Sequence, residues 1–506
     1  MAFNASRIKI ADDIYVSQHL DLRGGLDNSV SDDQVSDNCL TAVSNYLPDF
    51  LSAGMLMKRE GVSKTLVDQQ TEAITSVYQG DQGNYFTTSS TIKQFTSNVD
   101  LAGGALSATT APDWTSLASV DVYVNGTDAP RRIDVGPVVT TLGGSPPNFA
   151  YIKAYHNFLF GAGGNAAVGQ IRWSDVGTLE TWSVTNALVL SDQTDPIKGM
   201  GLYKDVLVVF CERSYHHVSG WATLEIVVTY SNFEEGCLSH RSIVSTPYGL
   251  FWWSKAGLCR STDGFSIDYV TVRKVPNTLD TLNKAKYDIV HGVWHPRYKR
   301  LQFYCCSRSS NTPDTAFYYY PESDSIWVMT GAGVQMGASG MAVTSGVADV
   351  YLGSASTTGY FYKNSGDTDD GTAITAYLET KRDYTQFGPT AIKRCDILTP
   401  MGLVVTGVAS VTYSVYLDNA VTATNSWDLD WTGGSTFTTG GFILGTDHLG
   451  TGTLGAPVTT GTGAVPVEST IGYGRIFKKI KHRISDNNAT RPKIRGFVHR
   501  GRLIAV

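Results

Sequence analysis

The sequence predicts an all-β protein, and three observations support that prediction. Glycine is frequent, with 51 residues, whereas only 17% of the residues are charged. Aromatic and β-branched residues recur in short alternating runs separated by turn residues, which is typical of many short strands. Helical periodicity is confined to one short candidate segment, residues 33–46.

A loosely repeated unit predicts a β-propeller in residues 71–372. Each copy consists of a strand, a turn and a second strand. The clearest copies begin at Ile74, Trp114, Ile152, Ile197, Ser242, Ile289 and Gly340. By subtraction, successive starts differ by 40, 38, 45, 45, 47 and 51 residues, and a four-stranded propeller blade occupies about 40–50 residues. Radial stacking of such sheets in a propeller covers both faces of each sheet. From the number of repeat starts we therefore expect six or seven divergent blades.

The two ends of the chain predict a second β domain. Residues 373–418 contain three strand patterns without the blade spacing, so a β-sandwich platform domain over residues 373–506 is the simplest interpretation. Residues 1–70 are expected to be an N-terminal segment that joins this platform. Residues 419–472 consist mainly of glycine, threonine, serine, alanine and valine. We expect them to form a long Gly/Thr-rich arm, an extended loop in which residues 431–467 are exposed to proteases.

The charge of the chain argues against tight wrapping of nucleic acid. The formal net charge is −6, whereas sequence-independent DNA affinity comes from cations that neutralise phosphates. The C-terminal end is nevertheless basic. The candidate subunit-contact or DNA-contact residues in it are Arg475, Lys478, Lys479, Lys481, Arg483, Arg491, Lys493 and Arg495. The alternative is that these side chains protect an edge strand from aggregation.

Motifs that would carry chemistry are incomplete, so we predict a protein that is not an enzyme and has no catalytic residues, metal site or cofactor. His291 and His295 are four residues apart without the glutamate of a zinc-protease helix, and on a strand they would lie about 13 Å apart. Residues 367–371 are rich in aspartate but lack the closing glutamate of a calcium loop. The glycines at 161–164 lack the lysine of a phosphate-binding loop and are expected to form a hairpin turn.

The cysteines and the N-terminus indicate where the chain is made. The seven cysteines are odd in number and follow no metal or disulfide pattern, so we expect mostly buried thiols outside any disulfide. The first 20 residues lack the apolar run of a secretory leader, and no apolar stretch is long enough to span a bilayer. We therefore expect synthesis in the cytosol and no membrane insertion.

A motif near the start of the chain resembles one known protein family. Residues 23–61 read RGGLDNSVSDDQVSDNCLTAVSNYLPDFLSAGMLMKREG. The matching positions are Gly24, Gly25, Leu26, Asp27, Asn45, Gly54, Lys58, Arg59 and Gly61. This pattern is similar to the opening of tail hub, nozzle and packaged-DNA-stabilising proteins of short-tailed bacteriophages. One departure is Glu60, because the family usually has proline at the matching position. Residues 170–182 and 317–329 also resemble the propeller region of these virion proteins.

The resemblance implies a structural role in the virion tail. Such proteins form homo-oligomeric rings, which implies a hexamer here, around the DNA exit channel. They retain packaged DNA and conduct it during ejection. The implied partners are portal-adaptor proteins, distal tail or tail-fibre proteins and, transiently and without specificity, the viral genome. The implied location is the virion tail, and the host cytoplasm during assembly.

A carbohydrate-binding propeller is the alternative from another class of function. Segments 173–182 and 259–266 are similar to the Ser-x-Asp-x-Gly turns of sialidase blades, although the register of the motif does not hold in either copy. Such turns stabilise the fold and do not catalyse. The sequence offers no arginine triad and no assignable acid pair, so a non-catalytic, receptor-binding role is favoured over a glycosidase.

Overall fold

The structure is a computed structural model. The structure describes residues 14–49, 54–66, 68–95, 98–107, 112–192, 194–357, 359–404, 407–433 and 465–505. Strand makes up 52% of it and helix 5%, so the predicted all-β class is confirmed. The chain divides into two compact units: Glu60–Asp370, called the multi-sheet unit, and Met1–Arg59 with Gly371–Val506, called the sandwich unit. The boundaries expected from the sequence pattern are residues 70 and 372.

The multi-sheet unit contains seven sheets in chain order, called sheets 1 to 7; sheets 1 to 6 are antiparallel, and sheet 7 includes one short parallel pair. Sheet 1 consists of Ser76–Gln79, Asn84–Thr87, Thr91–Gln94 and Asp100–Ala105. Sheet 2 consists of Asp113–Leu117, Val120–Val124, Arg131–Ile133 and Val139–Thr141. Sheet 3 consists of Tyr151–Tyr155, Phe158–Ala162, Gln170–Trp173 and Ala187–Val189. Sheet 4 consists of Ile197–Tyr203, Val206–Cys211, Tyr215–Ser219 and Val227–Asn232. Sheet 5 consists of Val244–Thr246, Gly249–Ser254, Gly257–Ser261 and Asp268–Tyr269. Sheet 6 consists of His291–His295, Arg300–Cys305, Thr315–Tyr320 and Ser325–Thr330.

Sheet 7 combines strands from two parts of the chain. Its first three strands are Met336–Thr344, Val347–Ser354 and Phe361–Asn364, and the next in order is Val62–Lys64. Thr368–Asp369 pairs with Val62–Lys64 on the far side. The start of the multi-sheet unit therefore completes its last sheet.

Each sheet packs against the next through side chains. Asp113 in sheet 2 accepts a hydrogen bond from the backbone amide of Ile152 in sheet 3 at 2.9 Å, and one apolar cluster contains side chains from sheets 3 and 4. Another apolar cluster joins Phe86 of sheet 1 and Phe95, just after the third strand of that sheet, to Phe361 of sheet 7. The seven sheets are compatible with a β-propeller, and the strand starts at 76, 113, 151, 197, 244, 291 and 336 lie within four residues of the predicted repeat starts.

Helices in the described residues are short. Two α-helices, Val270–Lys274 and Pro276–Leu279, follow sheet 5, and three 3-10 helices are His240–Ser242, Lys284–Ile289 and Ala332–Val334. None of these helices has the length or apolar character needed to cross a membrane.

The sandwich unit contains two sheets, called sheets A and B. Sheet A contains Ile14–His19, Tyr46–Pro48, Leu56–Lys58, Ile392–Val404, Val465–Glu468, Ile471–Phe477 and Lys493–Ala505. Sheet B has the order Gly25–Leu26, Cys39–Ser44, Ala376–Thr380, Ile480–Asp486, Gly407–Leu417 and Asn425–Gly433. A further short strand is Thr372–Ala373. Tyr413 of sheet B stacks on Phe497 of sheet A, with ring centroids 5.7 Å apart, so the inner faces of the sheets form the core.

Two local expectations from the sequence are wrong. The candidate helix at residues 33–46 is instead a turn followed by the strand Cys39–Ser44, because pairing with Ala376–Thr380 outweighs a weak helical pattern. The Gly/Thr-rich arm is shorter than expected, since Asn425–Gly433 pairs with Gly407–Leu417 and Val465–Glu468 pairs with Ile392–Val404. Trp431, predicted to be exposed, is 2% exposed; residues 434–464 lie outside the described residues.

Candidate functional site

Most of the predicted basic contact residues stabilise the sandwich unit itself. Lys481 forms an ion pair with Glu379 at 2.6 Å, and Arg483 pairs with the same carboxylate at 3.1 Å. Lys493 pairs with Asp49 at 2.7 Å. The other two are Arg491, whose guanidinium donates to the carbonyl of Lys58, and Lys479, whose ammonium lies 5.6 Å from the Tyr384 ring centroid. These cations are held by intramolecular partners, so the structure does not gather the predicted set into one site.

Three of the predicted residues remain candidates for contact with a partner. Arg475, Lys478 and Arg495 are exposed. Among the residues that the structure describes, none is an ion-pair partner of these three side chains. They lie on different parts of the unit's β-structure: Arg475 on Ile471–Phe477, Arg495 on Lys493–Ala505, and Lys478 in the turn before Ile480–Asp486. They are separate surface charges that could make weak, salt-sensitive contacts.

An aligned row of apolar and arginine side chains crosses the solvent side of sheet A. In the strand register, Ile14 lies opposite Arg502, Arg502 opposite Arg394, and Arg394 opposite Ile476. Ile14 is 56% exposed and Ile476 is 58% exposed. Because adjacent strands lie about 4.8 Å apart, this row spans roughly 15 Å. We call it the outer row.

Further exposed groups extend the outer row along the strands. Val16, 49% exposed, lies opposite Arg500, and Ile504, 50% exposed, follows on the same strand. Asp396 accepts from Arg394 at 2.9 Å and from Arg502 at 3.1 Å, so it neutralises part of the positive charge. Arginine and apolar side chains side by side are typical of surfaces that become buried in protein interfaces.

The arginines of the outer row are not among the contact residues predicted from the sequence. Arg394 lies far from the basic C-terminal run, while Arg500 and Arg502 belong to that run but were not selected. The available signal was the alternation of Arg500, Arg502 and Ile504, which places the three on one face of a strand. Only the register of Ile392–Val404 brings Arg394 beside them.

The family-like motif of residues 23–61 builds buried polar contacts. Lys58 and Asp486 are both fully buried, with 3.2 Å between Nζ and Oδ2. Asn45 has a left-handed backbone, with φ of 61°. Its side-chain oxygen accepts from Arg59 Nε at 3.0 Å and its amide donates to the Thr375 carbonyl at 2.8 Å. These motif residues thus have structural roles.

Two further motif positions lie in the multi-sheet unit. A Cβ on Gly61 would lie 1.9 Å from the carbonyl oxygen of Thr368, so only glycine permits this backbone contact. Glu60, where the similar family usually has proline, forms an ion pair at 2.7 Å with Arg300, which is 1% exposed. Glu60, which stands where the similar family usually has proline, therefore supplies the counter-charge for the buried Arg300.

Cavities in the multi-sheet unit lie where its sheets converge. The first strands of sheets 1, 2, 3, 4, 6 and 7, together with Ile243 just before sheet 5, line a cavity of about 210 Å³. A second cavity of about 810 Å³ shares His240 and Arg241 with the first and is also lined by Lys198, Asp288 and Tyr151. A space lined by the first strands of six sheets and by the residue before sheet 5 is compatible with the inner strands of a propeller.

Arg241 is the most constrained cation in these cavities. Its guanidinium donates to the carbonyl oxygens of Gly337 at 2.7 Å, Ile289 at 3.0 Å and Thr75 at 3.3 Å. Burial lowers the pKa of Arg241 to about 10, while Asp288 favours its charged form. These donors connect segments next to sheets 1, 6 and 7, so the residue serves to hold the sheets together.

The motifs that resembled chemical sites have structural surroundings. His291 and His295 lie on one strand, and His291 contacts Ser339 Oγ at 2.7 Å and the Met336 carbonyl at 2.9 Å. Asp370 pairs with Lys64 at 2.9 Å, and Asp369 accepts from the amide of Gly333 at 2.9 Å. All seven cysteines are buried, and none forms a disulfide.

One exposed aromatic side chain on the multi-sheet unit has the form of a stacking platform. Trp221 is 68% exposed, and its ring stacks on His156 with 3.5 Å between centroids and 14° between planes. His156 Nε2 contacts Asp205 at 2.7 Å, which fixes the imidazole beneath the indole. An exposed, fixed indole face can receive a sugar ring or an apolar group.

Comparisons with known proteins give no functional assignment. No family model matches the chain, and no curated protein matches it. Among solved structures, the chain is similar to the computationally designed Ika8 protein, with 8% identity and a TM-score of 0.37. That match covers 60% of this chain and 99% of the designed one. A similarity of this size carries no argument about function.

Proposed function

We propose that this chain is a structural subunit of the tail of a short-tailed bacteriophage, a hub or nozzle protein that forms a ring around the DNA exit channel. In this proposal the seven sheets are the blades of a propeller and the sandwich unit is the ring-forming platform. The ring holds packaged DNA and conducts it during ejection, and it contacts portal-adaptor and distal tail proteins.

The outer row of sheet A is the observation that carries the proposal. Isolated exposed apolar residues are common on soluble proteins, but aligned ones on the open face of a sheet indicate a surface that a partner covers. Ile14, Val16 and Ile476 supply apolar area, and Arg394 and Arg502 supply planar donors for carbonyl or carboxylate groups. A surface of this kind, repeated by rotation, can close a ring.

The resemblance of residues 23–61 is consistent with the same role. The motif residues Lys58, Asn45 and Arg59 lie in the sandwich unit, where their buried contacts fix the backbone. A ring component needs a rigid frame more than a reactive group, because obligate interfaces require large, well-ordered complementary surfaces. The scattered exposed cations Arg475, Lys478 and Arg495 would give DNA only weak contacts, which suits a genome that must slide.

Substitutions on the outer row test the proposal. Val16→Lys combined with Ile476→Lys adds two cations beside Arg394 and Arg500 and removes apolar area. The matched control is Val421→Lys, because Val421 is 91% exposed in the turn between two strands of sheet B. Native mass spectrometry and electron microscopy of the full chain, alone and with virion partners, should show rings for the wild type and the control but single subunits for the double variant.

Two outcomes would count against the proposal. Rings that persist with both lysines on sheet A would show that the outer row is not the subunit contact. A wild-type chain that stays monomeric with every virion component, or is absent from purified particles, would refute the virion role itself.

A carbohydrate-binding propeller is the second candidate, and the exposed Trp221 is the observation that favours it. Sugar rings stack on fixed indole faces, and an isolated propeller could bind a receptor glycan in this way without catalysis. Trp221→Ala should abolish glycan retention in an affinity assay if this function is correct. Ring formation, by contrast, should not depend on Trp221.

A further inference from the structure

Three histidines from distant parts of the sequence meet in the core of the sandwich unit. His19 ends the strand Ile14–His19, and His499 lies on the adjacent strand Lys493–Ala505. His482 lies on Ile480–Asp486 in the opposite sheet. One ring nitrogen of each histidine lies within 4.8 Å of those of the other two. The cluster therefore joins both sheets of the sandwich.

A carboxylate completes this histidine cluster. Asp383 Oδ2 lies 3.6 Å from His19 Nε2 and 3.6 Å from His499 Nε2. Ser17 Oγ donates to the same oxygen at 2.5 Å, and the amide of Thr385 donates to Oδ1 at 2.7 Å. The carboxyl group of Asp383 therefore lies beside two of the three histidines and is held in place by Ser17 and Thr385.

Several nitrogens of the cluster lack a hydrogen-bond partner. His19 is 4% exposed and His499 is fully buried. Within the part of the chain that the structure describes, His19 Nδ1, His19 Nε2 and His499 Nε2 have no hydrogen-bond partner. Buried polar atoms without partners are rare in native proteins, because desolvation is then uncompensated. Two of these three atoms, the Nε2 nitrogens, lie 3.6 Å from the same carboxyl oxygen of Asp383.

We propose that His19, His499 and Asp383 bind a divalent transition-metal ion, and that zinc is the preferred ion. Zinc lies about 2.0–2.1 Å from imidazole nitrogens, so two ligand atoms in a tetrahedral site are about 3.3 Å apart. The two nitrogen-to-oxygen distances of 3.6 Å are close to that separation. Two imidazoles and a carboxylate without thiolate also suit zinc better than magnesium or calcium, which prefer all-oxygen ligands.

His482 orients one of the ligands. Its Nε2 lies 3.1 Å from His499 Nδ1, and its Nδ1 lies 2.7 Å from the hydroxyl of Tyr413. If His499 carries its proton on Nδ1 and donates to His482, its Nε2 lone pair points to the metal. His482 is thus a positioning residue.

One neighbouring cation does not occupy the site. Lys393 is buried in the same core, but its ammonium donates to the carbonyls of Tyr384 at 2.6 Å and Gly388 at 2.9 Å. The side chains in direct contact with the Asp383 carboxylate, among the described residues, are those of Ser17, His19 and His499. A bound ion would link the N-terminal strand, the C-terminal strand and the segment around residue 383. This inference is independent of the proposed function.

Metal titration of the full chain tests the site. After dialysis against a chelator, Zn²⁺ should bind with one equivalent per chain, measured by elemental analysis and calorimetry, and Co²⁺ should give the visible absorption of a low-symmetry nitrogen and oxygen site. Asp383→Asn and His19→Gln keep approximate size and should each weaken zinc affinity by at least about 100-fold. His482→Gln should weaken it about 10- to 100-fold, as expected for an outer partner.

The control is a buried histidine of the multi-sheet unit. His291→Gln replaces a histidine that is hydrogen-bonded by Ser339 and Met336, and it should leave zinc affinity unchanged. Circular dichroism establishes that each variant is folded. The inference is overturned if the folded wild type binds no zinc at 100-fold molar excess, or if folded Asp383→Asn and His19→Gln bind zinc as the wild type does.

Discussion

Replacing Lys58 by methionine is the sharpest test of how the sandwich unit is stabilised. Lys58 Nζ and Asp486 Oδ2 are 3.2 Å apart, both side chains are fully buried, and the ammonium also donates to the carbonyl of Asn488. At an effective dielectric constant of about 20, the attraction between these charges is about 5 kcal/mol. Removing one partner of a buried pair leaves the other uncompensated, so Lys58→Met should destabilise the unit by about 3–5 kcal/mol at neutral pH.

The effect of Lys58→Met should depend on pH in a defined direction. Burial raises the pKa of Asp486 above its ordinary value even with Lys58 present, although the ammonium lowers it in part. Without Lys58 that pKa rises further, so the folded state takes up a proton more readily than the unfolded state. The destabilisation is therefore complete at neutral pH and decreases as the pH falls through the new folded pKa of Asp486.

Hydrogen exchange resolves this effect by unit. Peptides from Ile480–Asp486 report on the sandwich unit, and peptides from Ser325–Thr330 report on the multi-sheet unit. A loss of about 3–5 kcal/mol corresponds to a Tm lowered by roughly 6–20 °C for a domain of this size. Arg23→Met is the control, because its pair with Asp21 is about half exposed and should contribute less than about 1 kcal/mol. A Lys58→Met protein as stable as this control, or one whose loss grows on acidification, would refute the reasoning.

Two further changes test contacts in the multi-sheet unit. Arg241→Met removes three hydrogen bonds to carbonyls in or next to sheets 1, 6 and 7 and should lower the free energy of unfolding by about 2–4 kcal/mol. The control is Lys198→Met, because Lys198 lines the same cavity but is paired at the surface with Glu212. This change should lower the free energy of unfolding by less than about 1 kcal/mol. Equal urea midpoints for the two variants would contradict the role given to Arg241. Gly61→Ala places a Cβ 1.9 Å from the Thr368 carbonyl oxygen and should cost about 1–3 kcal/mol. Gly472→Ala, with no atom within 4 Å of the new Cβ, should be neutral in thermal unfolding, and similar Tm shifts in both would show that the backbone relaxes freely.

The repeat in the sequence was informative because it is a local property. Strand, turn and strand recur within one blade-sized segment, and each sheet of the multi-sheet unit is built from consecutive strands. The starts near Ile152 and Ile197 agree with the strands Tyr151–Tyr155 and Ile197–Tyr203. The exception is Val62–Lys64 in sheet 7, which pairs with residues some 300 positions later and left no signal in the local pattern.

The candidate contact residues were harder to predict, because the sign of a charge does not reveal its partner. Lys481 and Arg483 seemed available for a partner in the sequence, yet Glu379, about one hundred residues earlier, neutralises both. Arg394 lies about one hundred residues before Arg502 in the sequence, yet strand register brings the two side by side. The fate of each cation is set by which acid lies opposite it across a sheet.

The sequence by itself determined the strand content, the turns and the position of most strands, because alternation and turn residues act over a few neighbours. Tertiary structure alone decided which side chains came together: His19 with His499, Lys58 with Asp486, and Arg394 with Arg502 on sheet A. The physical reason is that strand pairing is set by burial of whole faces over the entire chain, so neighbours in space can be hundreds of residues apart in sequence.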